Sequence, residues 1–221
     1  MTANADLAPE LEPLARPIGE CVEMIFPTPL AVHHWPDSEA LNAALAELIL
    51  AAEAAADGGG LARSNVGGWH SPLDFLFRPE PCLERLRGRI QRMSGEMTNV
   101  VMRPGRQVRY AMEGWANVLR RGQYNSLHVH PNATWSGVYY VTGNRPPEAD
   151  GSPEFSGKIE FVDPRPGASA TYAVENALQR RCLLSPKAGA MILFPAWMQH
   201  QVHPFFGPGA RISIAFNVTV R

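Results

Sequence analysis

The ten residues from Arg211 to Val220 alternate without a break: Ile212, Ile214, Phe216, Val218 and Val220 take every second place, with Arg211, Ser213, Ala215, Asn217 and Thr219 between them. Successive side chains of a strand point to opposite sides of its sheet, so this period predicts a long β-strand with two unlike faces. One face is core. The other is polar and small, and such a face, turned inward in a barrel-like sheet, lines a hydrated pocket rather than a packed interior.

Upstream the periodicity is different. From Ser38 to Ala56, Leu41, Leu45, Leu48, Ile49 and Ala52 recur at helical spacing, Asp37 or Ser38 can cap the start, and Gly58 to Gly60 end the run. A second amphipathic helix is predicted from Pro81, with Leu83, Leu86, Ile90 and Met93 on one face. Both are expected to pack on a sheet. After about Gly105, Pro and Gly punctuate short runs rich in Val, Ile, Tyr and Trp. These predict strands at Val108–Met112, Trp115–Leu119, Ser126–His130, Ser136–Val141, Lys158–Val162, Cys182–Ser185, Ala190–Phe194 and Arg211–Val220. Helices followed by eight short strands predict an α+β, mostly β fold: a jelly roll buttressed by N-terminal helices. Residues 1–17, rich in Ala, Pro and Glu, read as a flexible arm, and 18–221 as one domain.

Composition limits the function. The chain has 221 residues and a formal net charge of −1, enough length to bury a large core. It contains no Lys/Arg run, which argues against nucleic acid as a partner. Cys21, Cys82 and Cys182 are widely spaced, odd in number and free of CxxC spacing, so reduced thiols and a cytoplasmic location are expected. No basic and apolar leader opens the chain, and nowhere do 18 apolar residues run together, so neither export nor membrane insertion is expected.

His128 and His130 lie two residues apart in an extended stretch, a spacing that lets a strand direct both imidazoles at one ion. A third histidine, His200, arriving from a distant strand would complete one triangular face and leave the opposite face open, and open positions on a metal mean chemistry. Arg211 and Ser213 follow. A guanidinium offers a planar fork to a carboxylate, so Arg211 at the floor of a pocket predicts an anionic ligand.

These residues resemble the Fe(II)- and 2-oxoglutarate-dependent oxygenases, whose double-stranded β-helix, a cupin-like jelly roll, carries a His-x-Asp/Glu pair, a distal His and an Arg some ten residues further on. The likeness covers roughly Trp115 to Arg221. The stretch "HVHPNATWSGVYYV", with "IFPTPL" and "SNVGGWHS" upstream, is similar to a group of bacterial members and extends it over nearly the whole chain. The resemblance implies Fe(II) held by His128, His130 and His200, with 2-oxoglutarate as a small-molecule cosubstrate. It further implies that Arg211, Ser213, Tyr140 and Asn117 bind that cosubstrate. The implied reaction couples oxidative decarboxylation of 2-oxoglutarate to succinate with attack on a C–H bond of a second, unidentified substrate.

His130 departs from the pattern, standing where the family has Asp or Glu. Three neutral ligands are also the mark of cupin dioxygenases that work without 2-oxoglutarate, so that activity remains an alternative, as does a non-catalytic metal- or small-acid-binding module. A pair formed by His130 and Asn132 is a second possible ligand set, and His203 is a rival to His200. His33, His34 and His70 read as turn or surface residues, Asp163 and Arg165 as a turn, Trp115, Trp135 and Trp197 as packing, and Cys182 as inert. One of Tyr139 and Tyr140 must be core, because neighbours on a strand face opposite ways.

Overall fold

The computed structural model describes residues 26–102, 108–144, 151–165 and 181–221. The arm expected at 1–17, and Cys21, lie outside them.

The chain enters through a short strand, β1 (Ala31–His34), and then helix α1 (Glu39–Ala55). Ser38 occupies the N-cap position without capping: its hydroxyl donates to the Trp35 carbonyl at 2.8 Å and accepts from Arg89 at 2.9 Å. Two short strands, β2 (Asn65–Val66) and β3 (Trp69–His70), and a 3-10 turn at Phe75–Phe77 lead to helix α2 (Pro81–Met102). The strands that follow are β4 (Tyr110–Leu119), β5 (Tyr124–His128), β6 (Trp135–Tyr140) and β7 (Ile159–Val162), then β8 (Arg181–Leu184), β9 (Ala190–Pro195), β10 (His200–Val202) and β11 (Arg211–Val220). They form two antiparallel sheets, one ordered β1-β9-β6-β11-β4-β3 and the other β2-β5-β10-β7-β8.

This is the expected jelly-roll architecture with two upstream helices against it. Leu45 and Ile49 of α1 and Leu83, Leu86 and Ile90 of α2 are buried in one cluster with Ile212, Ile214 and Phe216 of β11. The apolar face of β11 thus meets the helices and its polar face looks the other way.

The structure corrects several expectations. The separate strands at Val108–Met112 and Trp115–Leu119 are one, because β4 pairs residue for residue with all ten positions of β11 and Gly114 does not interrupt it. The strand expected over Ser126–His130 ends at His128, where β10 stops pairing with it. Strands β1, β2, β3 and β10 carry two to four residues each, too few to show a period.

Candidate active site

The polar side of the larger sheet forms three ranks across β4, β11 and β6, fixed by register. Ser213 lies between Asn117 and Tyr140, Ala215 between Trp115 and Val138, and Asn217 between Glu113 and Ser136. All nine line one cavity of about 530 Å³ between the sheets, within the range of ligand sites. His128 and His200, paired in register across β5 and β10, line it from the smaller sheet, as does His130 beyond the end of β5.

The three histidines converge, each offering a ring nitrogen within 4.8 Å of the others. Alternation survives past the end of β5: Leu127 and Val129 are exposed at 48% and 40%, while His128 and His130 turn inward. The backbone N–H of His130 donates to the Ala196 carbonyl at 2.9 Å, which holds the residue after strand pairing has ended. A carbonyl only accepts, so His128 Nδ1–H must donate to Ser126 O (2.6 Å) and His200 Nδ1–H to Met198 O (2.9 Å). Each therefore turns a bare Nε2 toward the cluster, the arrangement that orients histidine ligands on metals. His130 Nε2 stands 3.3 Å from His200 Nε2. The lone pair of His200 Nε2 is met at that distance either by His130 Nε2–H or by a shared cation, and three ring nitrogens this close together fit a metal ion.

Electrostatics favour the same state. Burial holds His130 down to about 4 and His200 down to about 3, with the other imidazoles of the cluster adding to both shifts. Burial also lowers His128, against the pull of its bond to Ser126. All three are neutral at physiological pH, as metal ligation requires.

Arg211 is 2% exposed and has no ion pair among the described residues. Its Nε and Nη2, the Tyr140 hydroxyl and Asn117 Oδ1 are buried with no hydrogen-bond partner. The guanidinium carbon lies 5.2 Å from the Tyr140 ring centre, and burial pushes the tyrosine up to about 12, so its hydroxyl stays a donor. Donors left unsatisfied at this depth cost free energy that a bound carboxylate recovers. With Ser213 opposite Tyr140 in the register, this end of the cavity fits the distal carboxylate of 2-oxoglutarate.

The structure brings together all seven residues singled out for metal and cosubstrate: His128, His130, His200, Arg211, Ser213, Tyr140 and Asn117 all line the one cavity. Asn132 lines it too, from the loop after β5, where it adopts φ +70°. His203 points elsewhere, donating from Nε2 to Glu160 at 2.7 Å. Tyr139 is the core tyrosine, donating to Asn42 Oδ1 at 2.7 Å. Asp163 and Arg165 pair within their turn, and burial raises the Cys182 thiol, which keeps it protonated. Trp135 packs and donates to Thr98, and Trp197 is 55% exposed.

Two expectations fail here. His70, taken for a turn or surface residue, is 2% exposed, donates from Nδ1 to the Ser71 carbonyl and stacks on Trp115 with ring centres 5.4 Å apart. Trp115, read as packing in preference to lining a substrate pocket, is buried but lines the cavity and lies 5.7 Å from the His130 ring. Sequence reading also missed Glu113, and it set Asn217 on the pocket-lining face of the last strand without giving it a role. Treating β4 as one strand would have put Glu113, Trp115 and Asn117 on a single face and exposed the signal.

Residues 113–217 match the model of a family described as "Putative 2OG-Fe(II) oxygenase". No curated protein matches the chain. Among solved structures, a Pseudomonas putida prolyl-4-hydroxylase is similar over 88% of this chain and 94% of its own, at TM-score 0.62 and 13% identity. HygX from Streptomyces hygroscopicus, with nickel and 2-oxoglutarate bound, is similar over 87% and 83%, at TM-score 0.58 and 12% identity. A Trichoplax adhaerens prolyl hydroxylase, in complex with a hypoxia inducible factor oxygen degradation domain peptide, is similar over 86% and 83%, at TM-score 0.57 and 14% identity. At these identities the likeness is one of fold.

Proposed function

We propose that the chain is a C–H hydroxylase of the 2OG-Fe(II) oxygenase family whose model matches residues 113–217, in which His128, His130 and His200 hold the iron while Arg211, Ser213, Tyr140 and Asn117 hold 2-oxoglutarate. The observation that carries the reading is Arg211, a buried cation with unpartnered donors in the cavity where the ring nitrogens of the three histidines converge. Bound iron supplies the site for oxidative decarboxylation of 2-oxoglutarate and for oxidation of the second substrate.

The protein's own contribution is binding and exclusion. Arg211 grips the carboxylate as a planar fork, Tyr140 and Ser213 donate beside it, and the backbone carbonyls of Ser126 and Met198 fix two imidazoles in the metal-binding tautomer. Phe194 and Phe161 pack around His200, with ring centres 4.7 and 5.9 Å away, and keep that ligand dry. A three-histidine dioxygenase working without 2-oxoglutarate would share the donor set, but it gives Arg211 no anion to bind.

Anaerobic addition of 2-oxoglutarate to the Fe(II) protein is expected to produce a visible charge-transfer band, and admission of oxygen to yield succinate. Arg211→Ala should suppress both. Fully iron-loaded protein that gives neither band nor succinate would overturn the proposal, and oxygen consumption with a small thiol instead would establish the alternative.

A further inference from the structure

The two ends of the cavity floor differ in hydrogen-bonding character, the Arg211 end carrying more orphaned donors than its one orphaned amide acceptor, Asn117 Oδ1. At the Arg211 end the unpartnered groups include three donors, Arg211 Nε, Arg211 Nη2 and the Tyr140 hydroxyl. At the other end Asn217 donates its amide N–H to Glu113 Oε1 at 2.7 Å. A carboxylate only accepts, so this bond fixes the amide with its oxygen turned away from Glu113. That oxygen, Asn217 Oδ1, is buried and unpartnered, on a side chain only 7% exposed. Ser136, opposite Asn217 in the register, points its hydroxyl hydrogen at the Phe216 carbonyl at 3.5 Å, leaving its lone pairs to the cavity. Glu113 has no ion pair among the described residues. The rank therefore presents a carboxylate, a carbonyl-type oxygen and a hydroxyl oxygen, all acceptors, with the carboxylate of Glu113 at the exposed edge and Asn217 Oδ1 buried.

Between the ends lies an apolar rank, Trp115, Ala215 and Val138, and Trp115 is the member beside His130. Ala215 keeps the centre of the floor low. Two residues of antiparallel strand span about 7 Å, so Glu113 and Asn217 stand roughly one rank beyond the metal cluster, on the side away from Arg211. Arg63, which also lines the cavity without an ion pair among the described residues, is exposed on the loop before β2. Glu113 is exposed as well, so solvent screens both charges, and the buried Asn217 Oδ1 is the acceptor that solvent does not satisfy.

The geometry points to an ammonium subsite: Glu113 and Asn217 bind a cationic nitrogen of the second substrate, with its alkyl chain laid over Trp115 and Ala215 toward the metal cluster. This deepens the proposed function and rests on it for the chemistry. The carbon brought to the metal is then separated from the nitrogen by several bonds, so the product is a stable alcohol rather than a collapsed carbinolamine. The balanced reaction is R–H + O2 + 2-oxoglutarate → R–OH + succinate + CO2, with the oxidant and co-reductant of the proposed activity. The ammonium could be carried by a free amine or by a lysyl side chain.

Calorimetric titration of the anaerobic Fe(II)–2-oxoglutarate protein tests this with n-pentylamine, the uncharged isostere pentan-1-ol, and a capped Gly-Lys-Gly peptide. Pentylamine or the peptide is expected to bind and pentan-1-ol not to, and whichever of the two binds identifies the source of the ammonium. Glu113→Gln should weaken the bound amine about tenfold, as loss of a charged hydrogen-bond partner does. Glu113→Lys should abolish amine binding and admit pentanoate, and an unchanged melting temperature shows that each variant is folded. Equal binding of pentylamine and pentan-1-ol, no binding of either amine probe, or unchanged amine affinity in Glu113→Gln would overturn the subsite. The charge-transfer band is read in the same samples: its absence sinks the proposed function, whereas a normal band with no amine selectivity sinks the subsite alone.

Discussion

Arg211 is placed where an unliganded protein has least use for it. Its guanidinium is 2% exposed, burial pulls it below its ordinary range, and its Nε and Nη2 are unpartnered. Taking a charge out of water costs several kcal/mol, and among the described residues nothing but the Tyr140 ring offsets it here, so an apolar residue of similar volume removes that penalty. Arg211→Leu is therefore expected to melt higher than the parent without ligand. Its 2-oxoglutarate affinity should fall thirtyfold or more, from losing an ion pair worth about 2–5 kcal/mol. Calorimetric melting with and without 2-oxoglutarate reads both, and a destabilised apo variant would mean that Arg211 has a structural partner. The histidines give a second test. His128→Ala combined with His200→Ala should leave no bound iron by metal analysis, whereas His130→Asp should keep or tighten it, because a carboxylate there directly opposes the ion. If His130→Ala also leaves iron content unchanged, His130 is not a ligand.

At the scale of the element, β10 depends on one carboxylate. Glu160 of β7 accepts from Arg181 of β8, from Gln201 of β10 at 2.8 Å and from His203 at 2.7 Å, so a single buried residue ties β7, β8 and the β10 segment together. The Arg181 bond, ahead of the other two, holds its carboxyl down to about 2 from the usual 4.5. A depressed folded value means that the unfolded chain binds the proton first. The stabilisation is complete above about pH 4.5 and is lost as the pH falls through about 2. Every tenfold change in proton affinity corresponds to about 1.4 kcal/mol, so the carboxylate contributes about 3 kcal/mol. Glu160→Gln should lower urea-unfolding stability at neutral pH by a comparable amount and flatten the acid limb below pH 4.5. An unaltered acid limb would mean that Glu160 is not what acid titrates. Because β10 begins at His200, the same variant should also loosen iron.

For the whole molecule, ligand and fold are linked. A ligand at a hundred times its dissociation constant stabilises by about 2.7 kcal/mol, and a domain of this size gains roughly 2–4 °C per kcal/mol. Metal with 2-oxoglutarate should thus raise the melting temperature by about 5–10 °C, and 2-oxoglutarate should do little in Arg211→Leu. Proton competition belongs to this scale too, because burial between the sheets is what depresses the histidines. With His130 held to about 4 and His200 to about 3, iron should stay bound well below the ordinary histidine range near 6.5 and dissociate as acid approaches the depressed values. Iron content after equilibration and desalting across pH 7 to 3 measures this. Loss centred near pH 6.5 would mean that the site opens to water.

The sequence by itself determined whatever is periodic or local. The alternation of β11, the heptad-like faces of α1 and α2 and the two-residue spacing of His128 and His130 are consequences of backbone geometry, and each could be read along the chain. With His200 and Arg211 they pointed to the jelly roll and to a metal and carboxylate site, because such binding demands particular side-chain types, whereas Tyr140 and Asn117 were singled out only through the family resemblance. Only the tertiary structure decided what depends on register and depth. The pairing of β4 with β11 set Glu113 beside Asn217, and stacking on Trp115 buried His70, a histidine whose neighbours in sequence show only a glycine-rich loop. Strands as short as β2, β3 and β10, of two or three residues, have no period to read, and a side chain's burial is the work of chain segments distant in sequence. The polarity of the cavity, richer in donors at one end and in acceptors at the other, therefore appears only when the strands are laid side by side.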